Sequence, residues 1–205
     1  MSKQQTLALL GALVLSAPMA FASDAGWYVG AGGGWSHASG GAYGIDPDLA
    51  AEGGAVSHVD DNGTGEKAYG GYQFNPNFAL EGSYVHLGKF SVDGTIPGGT
   101  EHAEVRPDAW CAAAVGILPL QQSFSLLGKV GGCRWDDHSS TVETIGGVPT
   151  PEPLGSTGNS LMYGVGAKYD FTPNVGARLE WERYKNVVHE SSDVNLTSVS
   201  LQYSF

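Results

Sequence analysis

Charge recurs at every second position in two stretches of this chain. One is Lys168-Tyr169-Asp170 and the other is Arg178-Leu179-Glu180-Trp181-Glu182. Residues two apart share one face of a β-strand, so each stretch places its charges on one side and its apolar groups on the other. Glu81 and Lys129 hold the same kind of place in two further alternating segments. If these faces line a closed interior, Glu81, Asp170, Glu180 and Glu182 meet Lys129, Lys168 and Arg178. Charges shut in together must pair, because an isolated one costs several kcal/mol. Ion pairing is therefore the chemistry on offer. It could form a fixed plug, or a gate in which Glu81 exchanges cationic partners and passes water and small ions.

Three further constellations need an address. Cys111 and Cys133 lie equally far from Gln122, so a hairpin centred there sets them opposite each other, facing inward. Opposed antiparallel Cα atoms are ~4.5–5.5 Å apart, within disulfide reach. A cross-strand disulfide is expected, and a register slip of one residue would leave two buried thiols instead. His189-Glu190-Ser191 has the His-x-Ser spacing of a hydrolase pair, but no acid follows Asp193 in the segment to orient the imidazole. The six histidines (37, 58, 86, 102, 138 and 189) have no i, i+4 or Cys partner, and the acidic stretches lack EF-hand spacing. No metal, cofactor or catalytic residue is expected.

Period-2 alternation positions these groups throughout the chain. Eight alternating segments follow residue 22: 27–35, 67–74, 78–90, 105–118, 124–135, 161–171, 175–187 and 194–205. Most approach the ~10 residues of a tilted membrane-spanning strand. Short turns at 75–77, 118–123 and 172–174 alternate with longer connections at 39–66, 91–104, 136–160 and 189–193. Trp27, Trp35, Phe74, Phe78, Phe171 and Phe205 sit at segment ends, as in an interfacial girdle. A soluble sandwich shares the period but not the loop asymmetry or the girdle. The expected fold is all-β: an eight-stranded antiparallel up-and-down transmembrane β-barrel. Inward Gly30, Gly32, Gly34, Gly71, Gly131, Gly164 and Gly166 would leave room for large residues opposite.

Residues 1–22 read as a signal peptide: Lys3, an apolar run from Leu7, then Ala20-Phe21-Ala22. That leaves 23–205 as the barrel domain. Ten Lys and Arg against 21 Asp and Glu give a net charge of −11, so no basic stripe is available for nucleic acid. A mean hydropathy of −0.12 excludes a polytopic helical membrane protein but not a barrel.

Particular motifs add a resemblance. Gly70-Gly71-Tyr72-Gln73-Phe74-Asn75-Pro76 with Glu81-Gly82-Ser83-Tyr84, Trp27-Tyr28, Leu127-Gly128-Lys129-Val130-Gly131-Gly132, and Ala177-Arg178-Leu179-Glu180-Trp181 are similar to strands of the OmpA-like transmembrane domain family. The final Tyr203-Ser204-Phe205 resembles the aromatic-x-Phe ending by which outer-membrane barrels meet the barrel-assembly machinery. The resemblance implies a cell outer membrane location, contact with outer-membrane lipid and lipopolysaccharide, and an internal network including Glu81, Lys129 and Glu180. Gly32 and Val115 depart from it, standing where the family's namesake has inward lysines. No residues follow Phe205 for a peptidoglycan-binding domain, so cell-wall tethering is not carried over. The implied role is structural, in a monomer that supports the outer membrane and presents acidic loops. A low-conductance pore and a surface adhesin are the alternatives. A lipid A deacylase built on His189 and Ser191 is a remote third.

Overall fold

Alternation of this kind has a definite outcome in space. The computed structural model describes residues 25–39, 55–121, 123–187 and 192–205. The proposed signal segment and His189-Glu190-Ser191 lie outside the described residues. Eleven strands are present among those described: β1 (Gly26–Ser39), β2 (Ala55–Asp60), β3 (Asn62–Asn75), β4 (Phe78–His86), β5 (Phe90–Ile96), β6 (Gly99–Val105), β7 (Pro107–Gln121), β8 (Phe124–Ile145), β9 (Val148–Asp170), β10 (Val175–Tyr184) and β11 (Asp193–Ser204). Eight of them close into an antiparallel barrel in the order β1-β3-β4-β7-β8-β9-β10-β11, with β11 returning to β1.

The register measures the closure. Stepping across the ladders from Tyr28 leads through Gly71, Glu81, Ala113, Gly131, Met162, Tyr184 and Val194 to Ala38. The path returns to β1 ten residues higher. A shear of ten over eight strands tilts them by about 40° and leaves an interior that side chains fill.

The burial pattern gives each face its solvent. In β4, Ala79, Glu81, Ser83 and Val85 are buried, while Phe78, Leu80 and Tyr84 are exposed. The outer face is apolar and the inner face carries the charges, the reverse of a soluble sandwich. Rings form two belts. At the turn end, Trp27, Tyr72, Phe74 and Phe78 follow one another at centroid distances of 5.1, 5.1 and 5.8 Å. At the other end, Tyr84 meets Trp110 at 4.9 Å and Tyr163 meets Trp181 at 6.2 Å. Trp27 and Trp35 stand eight positions apart in β1, about 27 Å along the strand and about 20 Å along the tilted barrel axis. That approaches the ~25 Å apolar band of an outer-membrane barrel.

The long connections differ from expectation. Much of what reads as loop is sheet. β5 and β6 form a hairpin, β6 pairs with the distal part of β8 from Ser140 to Ile145, and β2 pairs with β5. β8 and β9 stay paired out to Ile145 and Val148, turning at Gly146 and Gly147, whose φ values of 60° and 84° suit glycine. The result is an external sheet, β2-β5-β6-β8-β9, continuous with the barrel wall. Segments such as Ser140-Thr141-Val142-Glu143-Thr144 have strand-forming residues but no apolar face, so the alternation that marks the barrel is missing. Leu87, Phe90, Val92 and Val105 from the β4–β5 link and the hairpin pack into one core with Trp135, Met162, Tyr184 and Leu196. They fill the external half of the lumen.

Glu104 anchors this hairpin. Its carboxylate, largely buried, takes Lys89 and Arg106. The Lys89 hydrogen bond, joined by the charge of Arg106, holds its pKa below the usual carboxylate range. A depressed folded pKa confers stability above the unfolded value of about 4.3 that is lost as pH falls through the folded one. Amide exchange in β5 and β6 is therefore expected to accelerate on acidification in the wild type. In Glu104→Gln it should already be faster at neutral pH and respond less to acid. An identical acid response in both proteins would contradict this role.

Candidate functional site: a neutral ion-pair layer in the lumen

Six charged side chains from four strands meet inside the barrel. β4 supplies Glu81, β8 supplies Lys129, β10 supplies Arg178, Glu180 and Glu182, and β3 supplies Lys67. Lys67 Nζ donates to Glu180 Oε2 and Glu182 Oε2, each at 2.8 Å. Lys129 Nζ lies 2.5 Å from Glu81 Oε1, 2.7 Å from Glu180 Oε1 and 3.2 Å from Glu182 Oε1. Arg178 donates from Nη1 to Glu81 Oε2 and from Nη2 to Glu180 Oε1, both at 2.8 Å. Three acids face three cations, so the layer is neutral, and every member is at least 95% buried. Neutrality with multiple hydrogen bonds is what makes such burial tolerable.

Neighbours complete it. Tyr28 donates to Glu81 Oε2 at 3.1 Å, Tyr184 donates to Glu182 Oε2 at 3.2 Å, and Gln202 Oε1 accepts from Arg178 at 3.2 Å. The Arg178 guanidinium lies 4.6 Å from the Tyr69 ring centroid. Two glycines of β9 give the acids room: a Cβ on Gly164 would lie 2.9 Å from Glu182 Cγ, and one on Gly166 would lie 2.8 Å from Glu180 Cγ.

This membership corrects the expected set. Glu81, Lys129, Arg178, Glu180 and Glu182 come together. Lys168 and Asp170 do not join them; they pair with each other at 3.1 Å, partly exposed near the turn end. Both share the inward parity of β9, but Lys168 stands directly across the ladder from Arg178, where like charges repel, and its ammonium turns to Asp170 instead. Lys67 takes the cationic place instead. Counting by twos from inward Gly71 through Tyr69 finds it, yet its outward neighbours Glu66, Ala68 and Gly70 carry no apolar signal. The two departures from the family pattern also find an account. Gly32 faces Lys67 across the β1–β3 ladder, and Val115 faces Lys129 across the β7–β8 ladder.

Apolar layers lie on both sides of the charges. On the turn side are Tyr28, Tyr69, Ala79, Val115 and Leu127, with Ile117 against them. On the external side is the core that includes Cys111 and Cys133, which are joined by a disulfide with Cα atoms 4.0 Å apart. Tyr203 and Phe205 project outward at the turn end, their ring centroids 5.1 Å apart. Histidines without local partners find acids across strands: His86 Nδ1 lies 2.7 Å from Asp108 Oδ1, and His102 Nδ1 lies 2.6 Å from Asp93 Oδ1. Strand register, invisible to local spacing, makes these pairs. Among the described residues no group of three or more such side chains is arranged to hold a metal.

A closed eight-stranded barrel, apolar outside and charged within, defines an outer-membrane β-barrel protein located in the cell outer membrane. A family model described as the OmpA-like transmembrane domain matches residues 22–205, and the chain belongs to that family. Outer membrane protein A of Salmonella typhi is 30% identical over 99% of this chain and 55% of that protein. The Yersinia pseudotuberculosis protein of the same name is 30% identical over 99% of this chain and 56% of its own. The chain thus spans little more than half the length of these relatives. Among solved structures, Ail, the attachment invasion locus protein of Yersinia pestis, aligns with a TM-score of 0.56 at 16% identity, covering 88% of this chain and 99% of that one. Neisserial surface protein A aligns with a TM-score of 0.53 at 17% identity, covering 91% of this chain and all of the other. These two share the fold.

Lys67→Met leaves Glu182 and Glu180 short of a partner in a dry layer and is expected to cost about 3–5 kcal/mol. Lys168→Met, which breaks a partly exposed pair, should cost less than about 1 kcal/mol. Urea unfolding of barrels refolded into vesicles compares them. Equal losses would remove Lys67 from the network.

Proposed function

We propose that this barrel is a structural outer-membrane element with a closed lumen, carrying an acidic external sheet at the cell surface. One observation carries the reading: the ion-pair layer is capped on the external side by Leu87, Phe90, Val92, Tyr184 and Leu196, each at most 2% exposed, and packs against Ala79, Val115 and Leu127 on the turn side. Conduction would need Leu87 and Phe90 to leave the external core as well as an exchange of partners at Glu81. The sheet sets Asp60, Asp93, Glu101 and Glu143 beyond the girdle, where net negative charge favours solubility and repels like surfaces. Residues 1–22 act in this reading as a removable signal, and 23–205 as a monomeric barrel. Tyr203 and Phe205, exposed at the end of the last strand, suit capture by the barrel-assembly machinery.

A surface-adhesion role draws support from the same sheet, since paired strands hold a contact surface more rigidly than loops do. Replacing 139–155 by a short turn and scoring attachment to host cells tests it: adhesion should fall while the barrel still folds.

Planar-bilayer recording of the refolded chain tests the closed lumen. No discrete conductance is expected. Steps that appear in the wild type and change in Glu81→Ala would overturn the reading in favour of a gated pore.

A further inference from the structure

The chain has two cysteines, Cys111 on β7 and Cys133 on β8, and they are joined to each other. With no third thiol in the sequence, only one intramolecular pairing exists and oxidation needs no reshuffling. Both side chains point into the barrel, 7% and 4% exposed. They sit in the external core with Trp135, Met162, Tyr184 and Leu196. The ion-pair layer begins just below them, because Ala113, two residues from Cys111, stands across from Glu81. Lipid covers the wall outside. Making a disulfide requires a thiolate to meet the oxidant's sulfur. No protein oxidant fits inside an eight-stranded barrel that side chains fill, and a buried sulfur is reached only when the core opens.

The same two strands carry little register information over much of their length. Ala112 faces Gly132, Ala113 faces Gly131, Ala114 faces Val130 and Gly116 faces Gly128. Small residues on both faces leave a pairing weakly specified. A slip of two residues would keep every side chain on its face and exchange one small residue for another. It would also part the cysteines. Two residues add about 7 Å along the strand, which puts the Cα atoms beyond the ~7 Å that a disulfide can bridge. A slip of one would set the two sulfurs on opposite faces. A bond already present when the strands pair therefore leaves only the native register. The separation of 22 residues makes that loop easy to close while the chain is still unfolded.

We infer that Cys111 and Cys133 are joined before the barrel closes, by exchange with a protein disulfide of the periplasm, and that the bond fixes the β7–β8 register in advance. The periplasm is kept oxidising by such proteins. One cysteine thiolate attacks the oxidant's disulfide and expels one of its sulfurs. The other thiolate then breaks the mixed disulfide and expels the second sulfur. The chain loses two electrons and two protons, and the oxidant gains both as a dithiol. A lumen that passed water and ions would still exclude a protein, so the order of events is independent of conduction.

Pulse labelling of cells making the full chain, with acid quenching and alkylation by a maleimide heavy enough to shift the band, counts free thiols. Samples are taken while most of the label is still protease-sensitive and the barrel has not folded. These chains should show no shift unless a reductant is added first. Two tags on unassembled chains and none on folded barrels would overturn the order. In vitro, glutathione disulfide should oxidise the reduced chain refolded into vesicles at least about a hundredfold more slowly than the same chain in urea, as for a group reached only by opening of the core. Equal rates would overturn the inference, because the bond could then form after closure. A reduced chain that fails to refold supports the same order, since closure then requires the bond. The double variant Cys111→Ala, Cys133→Ala should become protease-resistant severalfold more slowly than the wild type. An unchanged rate would overturn the register role.

Discussion

Hydrocarbon offers no hydrogen bond to a peptide group, so a sheet inside it must close on itself. Most of what distinguishes this chain follows from that requirement. Eight strands with a shear of ten enclose a space only as wide as the side chains that fill it. Glycine then becomes a tool for fitting. A Cβ on Gly71 would fall 2.4 Å from the Tyr28 ring, and one on Gly30 would fall 2.3 Å from the Tyr69 ring. The two tyrosines that bound the ion layer fit only because the strands beside them carry no side chain there.

A narrow dry interior also dictates the charges. Three acids and three cations lock together, while the excess negative charge is displaced to the external end. Replacing such a layer with hydrocarbon side chains of equal volume would not be expected to weaken the barrel, so its contribution is better sought in register. In β10, a slip of one residue would turn Arg178, Glu180 and Glu182 toward lipid and bring Leu179 and Trp181 inside. An Arg at the midplane of a barrel's lipid face costs about 2–4 kcal/mol and a Glu somewhat less. Three such charges on one strand make the wrong register far more costly than the right one, whatever the net worth of the buried pairs.

The same logic explains what can be read from sequence and what cannot. β4, β10 and β11 announce themselves, because lipid on one side and ion pairs on the other sharpen the alternation at every step. The Cys111–Cys133 pairing is readable for a related reason: a short turn fixes the hairpin centre, and two equidistant residues then meet. Lys67 is hidden because its strand turns Ala68 and Gly70 to the lipid, too small to signal a face. Lys168 and Asp170 mislead because alternation reports which face a residue is on, not which residue stands across the ladder, and Lys168 faces Arg178. The external sheet is harder still. In its β8 portion, Ser140 to Ile145, no side chain is buried, so no apolar period is selected there, and only the β-branched content of segments such as Thr141 to Thr144 hints at extension.

That sheet meets the problem of unpaired backbone in a second way. Pairing of β9 with β10 stops at Met162, whereas β9 continues to Val148 along β8. One side of this extension is therefore a free edge in the sheet order. Water can satisfy such an edge, which lipid could not, but an open row of N–H and C=O groups also invites another strand. Pro149, Pro151 and Pro153 stand at alternate positions here. Successive residues direct their backbone groups to opposite sides, so three prolines spaced by two remove the donors from a single side and leave the other free to pair with β8. Closure protects the backbone where the solvent is hydrocarbon, and proline protects it where the solvent is water. The change from one device to the other comes above the aromatic belt, where the solvent itself changes.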